Sequence, residues 1–276
     1  MHIWKFVASD YLIIGGKAEF EELSGHSSLV SSVSFSPLGD MLASSAINNE
    51  IRLWNYTSDE KRSEVIKTSA AHSAMVLAFN KDGSLVASGG RDRRIKLWCT
   101  TGKNEIYDAF EGHAGMIQAL AFSPDGSLLA SGSSDCTVRL WNMQSLTSYR
   151  DPLRGHYRGI HAVAFSPDGV HLAAGSGDCL ISVWQVATGE PKAEALKGHL
   201  SSVFCLAFSP DGRYLASGGN DRMVRLWCCR TWQQVQTFRG HSSGVSSVAF
   251  CKGGLILVSG SGDGTVRLWD LRQRMG

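Results

Sequence analysis

No run of apolar residues approaches the roughly twenty needed to cross a bilayer, the strongest near the start being YLII at residues 11–14. A membrane partner is not expected. The opening MHIWKFVASD lacks the basic start and apolar stretch of a signal peptide. Cysteine pairing is missing as well, since seven cysteines form an odd set without any C-x-x-C spacing. The expected home is therefore a reducing compartment, the cytoplasm or alternatively the nucleus. Charge of one sign is also scarce: 27 basic side chains stand against 25 acidic ones, a net +2 that points away from nucleic acid as a partner. Proline occurs six times against thirty glycines, which suggests tight turns rather than extended linkers. Apolar residues at 43% and charged ones at 19% are enough for a buried core and exclude a largely disordered chain.

What the chain does contain is a period. A Gly-His or Ala-His pair recurs at His26, His72, His113, His156, His199 and His241, at intervals of 46, 41, 43, 43 and 42 residues. Each unit closes on a tryptophan, at 54, 98, 141, 184, 227 and 269, and the His-to-Trp distance is 28 in all but the second, where it is 26. Within residues 113–141, three apolar runs (MIQALAF, SLLASGS, CTVRLW) are separated by the turn sequences SPDG and SD. These predict three strands joined by type I turns and an aspartate turn. A fourth, more polar run such as QQVQTFRG precedes the next histidine and predicts an outer edge strand. Four strands per roughly 43 residues predict the blade of a β-propeller, whereas helical repeats fail for want of any 3.6-residue periodicity.

The pattern GH…SPDG…LASGS.D.TVRLW resembles the WD-repeat family over about residues 23–271. Only Trp269-Asp270 carries the family's terminal Trp-Asp pair, although that second position varies in the family. The resemblance implies an all-β, single propeller of four-stranded antiparallel blades spanning 18–276, with units at about 18–56, 64–99, 105–142, 148–185, 191–228 and 233–270. Six three-strand sets are served by only five internal fourth strands, so residues Ala18 to Leu23 are expected to pair with the last unit and close six blades. The alternative is seven blades with one incomplete, because His2-Ile3-Trp4-Lys5 resembles Arg139-Leu140-Trp141-Asn142. On that reading residues 1–17 are a remnant of a further repeat.

The units combine histidine, serine, aspartate and tryptophan: His72, Ser88, Asp92 and Trp98; His113, Ser131, Asp135 and Trp141; His199, Ser217, Asp221 and Trp227; His241, Ser259, Asp263 and Trp269. On paper each is a hydrolase triad. The resemblance instead implies a structural hydrogen-bond tetrad, and a constellation repeated around a ring argues against a single catalytic site. Two units are degraded, with Asn48 replacing aspartate in the first and Ala174 replacing serine in the fourth. Residues 240–244 fit G-x-S-x-G but precede a strand where that motif needs a helix. Histidines 43 residues apart, without an H-x-x-x-H pair, predict no metal, and no cofactor is implied.

Family members usually bind partners on the top face, through positions three and five after the histidine and the one before the turn aspartate. Here those positions supply Leu29, Ile47, Met75, Arg91, Met116, Gln118, His161, Phe204 and Asn220. The apolar members gather over the first three units, which predicts a docking face for a protein or peptide centred on Leu29, Ile47, Met75, Arg91 and Met116. A phosphopeptide reader using Arg91 is the neighbouring alternative, and a hydrolase using one His/Ser/Asp set is the rival from another class.

Overall fold

The computed structural model describes residues 2–4, 20–55, 63–67, 74–101 and 105–272. A two-stranded sheet pairs β1 (His2–Trp4) with β2 (Phe20–Glu22). Six larger antiparallel sheets follow, one for each repeat. The first holds β3 (Val30–Phe35), β4 (Met41–Ala46), β5 (Glu50–Asn55) and β6 (Ser63–Lys67). The second holds β7 (Ala74–Phe79), β8 (Leu85–Gly90), β9 (Ile95–Cys99) and β10 (Glu105–Phe110). In the third, β11 (Ile117–Phe122), β12 (Leu128–Ser133) and β13 (Val138–Asn142) are followed by the short β14 (Thr147–Ser148). The fourth has β15 (Ile160–Phe165), β16 (His171–Ser176) and β17 (Ile181–Gln185), its outer position reduced to isolated bridges at Pro191 and Leu196. The fifth has β18 (Val203–Phe208), β19 (Tyr214–Gly219), β20 (Val224–Cys228) and β21 (Gln233–Phe238). The sixth has β22 (Val245–Cys251), β23 (Ile256–Ser261) and β24 (Val266–Asp270).

Turn chemistry sets the hairpins. In the third unit the Gly126 amide donates to the Ser123 carbonyl at 2.8 Å, with Gly126 at φ 78, a left-handed conformation that glycine adopts without Cβ strain. Asp125 Oδ1 accepts from Ser123 Oγ at 2.5 Å and from the Ser127 amide at 3.1 Å, which holds the turn shut. The next hairpin closes through the Cys136 amide to the Ser133 carbonyl, leaving Cys136 at φ 69. This is the type I turn plus left-handed residue of a three-residue hairpin loop.

Successive sheets pack through their first strands, β3 on β7, β7 on β11, β11 on β15, β15 on β18 and β18 on β22. Each such seam is an apolar cluster of similar make-up. Ile51 and Leu53 cluster with Leu77, Phe79 and Trp98 at the first, and Val138 and Leu140 with Ile160, Val163 and Phe165 at the third. Burying one such side chain contributes about 1.5–3 kcal/mol, so the seams rather than the single sheets carry the stability. Glycine in the second strand makes the close approach possible: a Cβ on Gly132 would lie 2.5 Å from Ile160 Cγ2, and one on Gly218 2.5 Å from Val245 Cγ1.

The six repeats form six blades, but the N-terminal outer strand differs from expectation. A strand does form within 18–23, at Phe20–Glu22, yet its partner is β1, in the register His2↔Glu22, Ile3↔Glu21 and Trp4↔Phe20. Among the described residues the sixth sheet has three strands. In the chain β1 lies fifteen residues before β2 and β24 more than two hundred after it, and pairing over the shorter separation costs less chain entropy.

Candidate functional site

Among the described residues, three units contain a complete hydrogen-bond chain. In the third, Trp141 Nε1 donates to Ser131 Oγ at 2.8 Å, Ser131 Oγ lies 2.7 Å from His113 Nε2, and His113 Nδ1 lies 2.8 Å from Asp135 Oδ2. The fifth has 2.9, 2.8 and 2.9 Å across Trp227, Ser217, His199 and Asp221, and the sixth 2.9, 2.8 and 2.9 Å across Trp269, Ser259, His241 and Asp263. Direction follows from the groups at the ends. Indole N–H only donates and an ionised carboxylate only accepts, so the serine proton must go to Nε2 and the Nδ1 proton to aspartate. The aspartate also accepts the amide after the histidine, from Ala114 at 2.9 Å, Leu200 at 3.1 Å and Ser242 at 2.9 Å. A single chain thus ties the entry of the first strand to the second strand, its turn and the third strand.

The first and fourth units depart from this scheme, and the second is described only in part. His72 lies outside the described residues, while Trp98 Nε1 donates to Ser88 Oγ at 2.7 Å and Asp92 Oδ1 accepts the Arg94 amide at 3.4 Å. In the first unit Ser44 bridges Trp54 and His26, at 2.7 and 2.6 Å, but Asn48 turns to Ser27 and Glu50 instead of the histidine. His26 Nδ1 is buried without a hydrogen-bond partner, 3.7 Å from Glu50 Oε2. In the fourth, His156 Nδ1 meets Asp178 at 2.9 Å, and with Ala174 in place of serine Nε2 is left buried and unpaired.

Electrostatics add a pH dependence. Burial pushes His113 below its ordinary value despite the opposing pull of Asp135, and burial is also the leading cause of the lowered values at His26, His161 and His171. Burial alone would raise Asp135, but hydrogen bonds from Thr137 and His113 bring it to about 2. Every one of these groups takes up protons more readily when unfolded, so stability falls as pH falls. The urea midpoint is expected to be highest at or above pH 7. It should decline below about pH 6.5 as the unfolded histidines become charged, and again below about pH 4 as the unfolded carboxylates protonate. A midpoint that is flat or rising from pH 7 to pH 5 contradicts this account.

Within a blade, the positions expected on the top face are joined by a backbone hydrogen bond. The residue before the turn aspartate donates its amide to the carbonyl three residues after the histidine: Ile47 to Leu29 at 3.0 Å, Ser134 to Met116 at 2.9 Å, Gly177 to Gly159 at 3.0 Å and Asn220 to Ser202 at 2.8 Å. At the inner strands a cavity of about 250 Å³ is lined by Met75, Met116, Ile117, Gln118, His161 and Phe204, side chains from four successive blades. His161 meets Phe204 edge-on, ring centroids 5.4 Å apart. Gln118 Oε1 is buried without a hydrogen-bond partner.

Leu29 and Ile47 are exposed on the first blade but do not line this cavity, and neither do Arg91 and Asn220, which are exposed on the second and fifth. Tyr157 and Leu200 escaped the sequence reading, although they are 71% and 86% exposed. Their signal is position: each directly follows a unit histidine and gives its amide to the turn aspartate, which turns the side chain outward. Among the described residues no group of histidine, cysteine or acidic side chains has the makings of a metal site, and no helix is long and apolar enough to cross a membrane.

Comparison with known proteins agrees with this architecture. Residues 18–55, 63–99, 104–142, 147–185, 189–228 and 232–270 match the family described as WD domain, G-beta repeat. The chain is 38% identical over 72 residues to Protein RAE1 of Arabidopsis thaliana, a stretch covering 25% of this chain and 21% of that protein. It is 33% identical over 87 residues to Small ribosomal subunit protein RACK1y of Oryza sativa subsp. japonica, covering 30% and 25%. Periodic tryptophan protein 2 of Arabidopsis thaliana is 36% identical over 78 residues, covering 28% of this chain and 8% of that protein. These matches span a quarter or less of each relative's length, whereas the repeat match runs through most of the chain, and on that ground the chain belongs to the WD domain, G-beta repeat family.

Proposed function

We propose that this protein is a non-catalytic scaffold that holds a peptide or protein partner at the cavity mouth on the inner strands. Proteins of its family generally act as protein-interaction scaffolds. The observation that carries the reading for this chain is the cavity, in which two flexible methionines and Phe204 offer an adaptable apolar wall beside the unpaired acceptor Gln118 Oε1. An apolar side chain of the partner fills the space. Leu200 and Tyr157 extend the contact on the fourth and fifth blades.

The hydrolase reading loses its nucleophile. Ser131 and Ser217 are 0% exposed and Ser259 is 1% exposed, and each hydroxyl already accepts from a tryptophan while donating to its histidine. A hydroxyl so held is out of reach of any ester. We assign the same structural role to the tetrad residues of all units.

Met75→Glu combined with Met116→Glu should reduce the partner captured from lysate by about tenfold or more, because carboxylates then line an apolar contact. The thermal midpoint should stay within a few degrees of wild type. Unchanged capture by a folded variant removes the cavity from consideration. Loss of capture on Arg91→Gln alone, together with preference for phosphorylated members of a peptide array, favours the phosphopeptide reading instead.

A further inference from the structure

A net charge of +2 conceals a polarity within the third, fourth and fifth blades. In the fifth sheet Val203 pairs with Gly219, Gly218 with Val224 and Val224 with Phe238, so the histidine loop, the aspartate turn and the end of the outer strand lie level. The third and fourth sheets repeat this through the bridges Val138–Leu153 and Ile181–Leu196. Neighbouring sheets share the level, since a Cβ on Gly159 would lie 3.2 Å from Ser134 Cα of the blade before and one on Gly175 2.7 Å from Val203 Cγ1 of the blade after. At this end five cations are exposed: Arg154, Lys197 and Arg239 just past the outer strands, Arg158 on a histidine loop and Arg222 on an aspartate turn. None of the five makes an ion pair among the described residues, and Asp151 and Glu194, each two residues before a bridge, pair with none of them. The carboxylates of this end face inward instead. Asp135, Asp178 and Asp221 each hold their histidine and the amide after it.

Two contacts join these cations to the cavity. A Cβ on Gly177 would lie 3.2 Å from His161 Nε2 and 3.4 Å from Arg158 Cβ, which puts Arg158 beside the cavity wall. Asn220, two residues before Arg222, gives its amide to Ser202, two residues before Phe204. We infer that the partner segment is acidic: aspartates and glutamates flank the apolar side chain that enters the cavity, and they meet Arg158, Arg222 and the cations past the outer strands. This rests on the cavity reading proposed above. Carboxylates fit better than a phosphate, because the cations stand singly on different loops whereas a phosphate takes several converging donors. A nucleic acid would meet the charge but brings no aliphatic side chain for the cavity.

The test is a fluorescence-polarisation titration of the whole chain with three labelled peptides: leucine flanked on each side by three glutamates, its glutamine counterpart, and the acidic peptide with serine in place of leucine. At about 50 mM salt the acidic leucine peptide should bind about tenfold tighter than the other two. It should lose about tenfold on raising the salt to about 300 mM, and about tenfold in Arg158→Glu combined with Arg222→Glu, a change of two exposed side chains that leaves the thermal midpoint in place. Glutamate and glutamine peptides that bind equally, both through leucine, overturn this inference and leave the cavity reading standing. Acidic peptides that bind equally with leucine or serine overturn the cavity reading and the inference with it. The inference also fails if the acidic leucine peptide does not bind, or if a phosphoserine peptide with glutamine flanks or an oligothymidylate binds more tightly.

Discussion

Leu140→Ala lowers the unfolding free energy by about 2–5 kcal/mol, whereas Leu268→Ala, at the same place in its repeat, lowers it by less than about 1 kcal/mol. The two leucines occupy the same position before the closing tryptophan in VRLW. Leu140 is 0% exposed and clusters with Ile160, Val163, Phe165 and Leu172 of the next blade, so truncation removes contacts on both sides and leaves a cavity that a sheet pinned at two seams cannot collapse. Leu268 is half in solvent already, and its truncation exposes little that was buried. Urea titration followed by tryptophan fluorescence reads both variants. Equal losses would mean that Leu268 is covered in solution, contrary to its exposure here.

Ser217→Ala costs about 1–3 kcal/mol, and Ala174→Ser returns about 0.5–1.5 kcal/mol. The first strips the only group between Trp227 Nε1 and His199 Nε2, leaving an indole N–H and an imidazole nitrogen buried without partners. The second supplies the hydroxyl that the fourth unit lacks, in a place where His156 Nε2 is buried and unpaired and where the other units hold serine without strain. The opposite signs matter more than the sizes. A serine that merely packs would make both changes close to neutral, and a destabilised Ala174→Ser variant would show that the fourth blade has closed around alanine. Chemical denaturation of the two variants in parallel separates these outcomes.

Much of the fold was legible because its rules are local. Ser-Pro-Asp-Gly specifies its own turn through hydrogen bonds that reach no more than five residues, as Ser123, Asp125 and Leu128 do. The spacing of 18 from His113 to Ser131 and 10 from Ser131 to Trp141 recurs because antiparallel strands of fixed length bring those residues level. A change in such a unit is visible in its own 43 residues, as Asn48 and Ala174 are. The first residues read less well. Phe20–Glu22 has the composition of an outer strand whichever edge it joins, and composition does not choose between the edges of β1 and β24.

The candidate site divides along the same line. Sequence by itself determined which positions of a repeat lie level at the end of its hairpins, since those follow from distances within a hairpin. Only the tertiary structure decided that Met75, Met116, Gln118, His161 and Phe204 meet around one cavity while Leu29, Ile47, Arg91 and Asn220 stand apart from it, and that Leu268 is exposed where Leu140 is buried. Convergence depends on how one sheet is placed against the next. That placement is set by residues of neighbouring repeats packing across seams, such as Gly132 against Ile160, 28 residues further along the chain, and no local pattern encodes it.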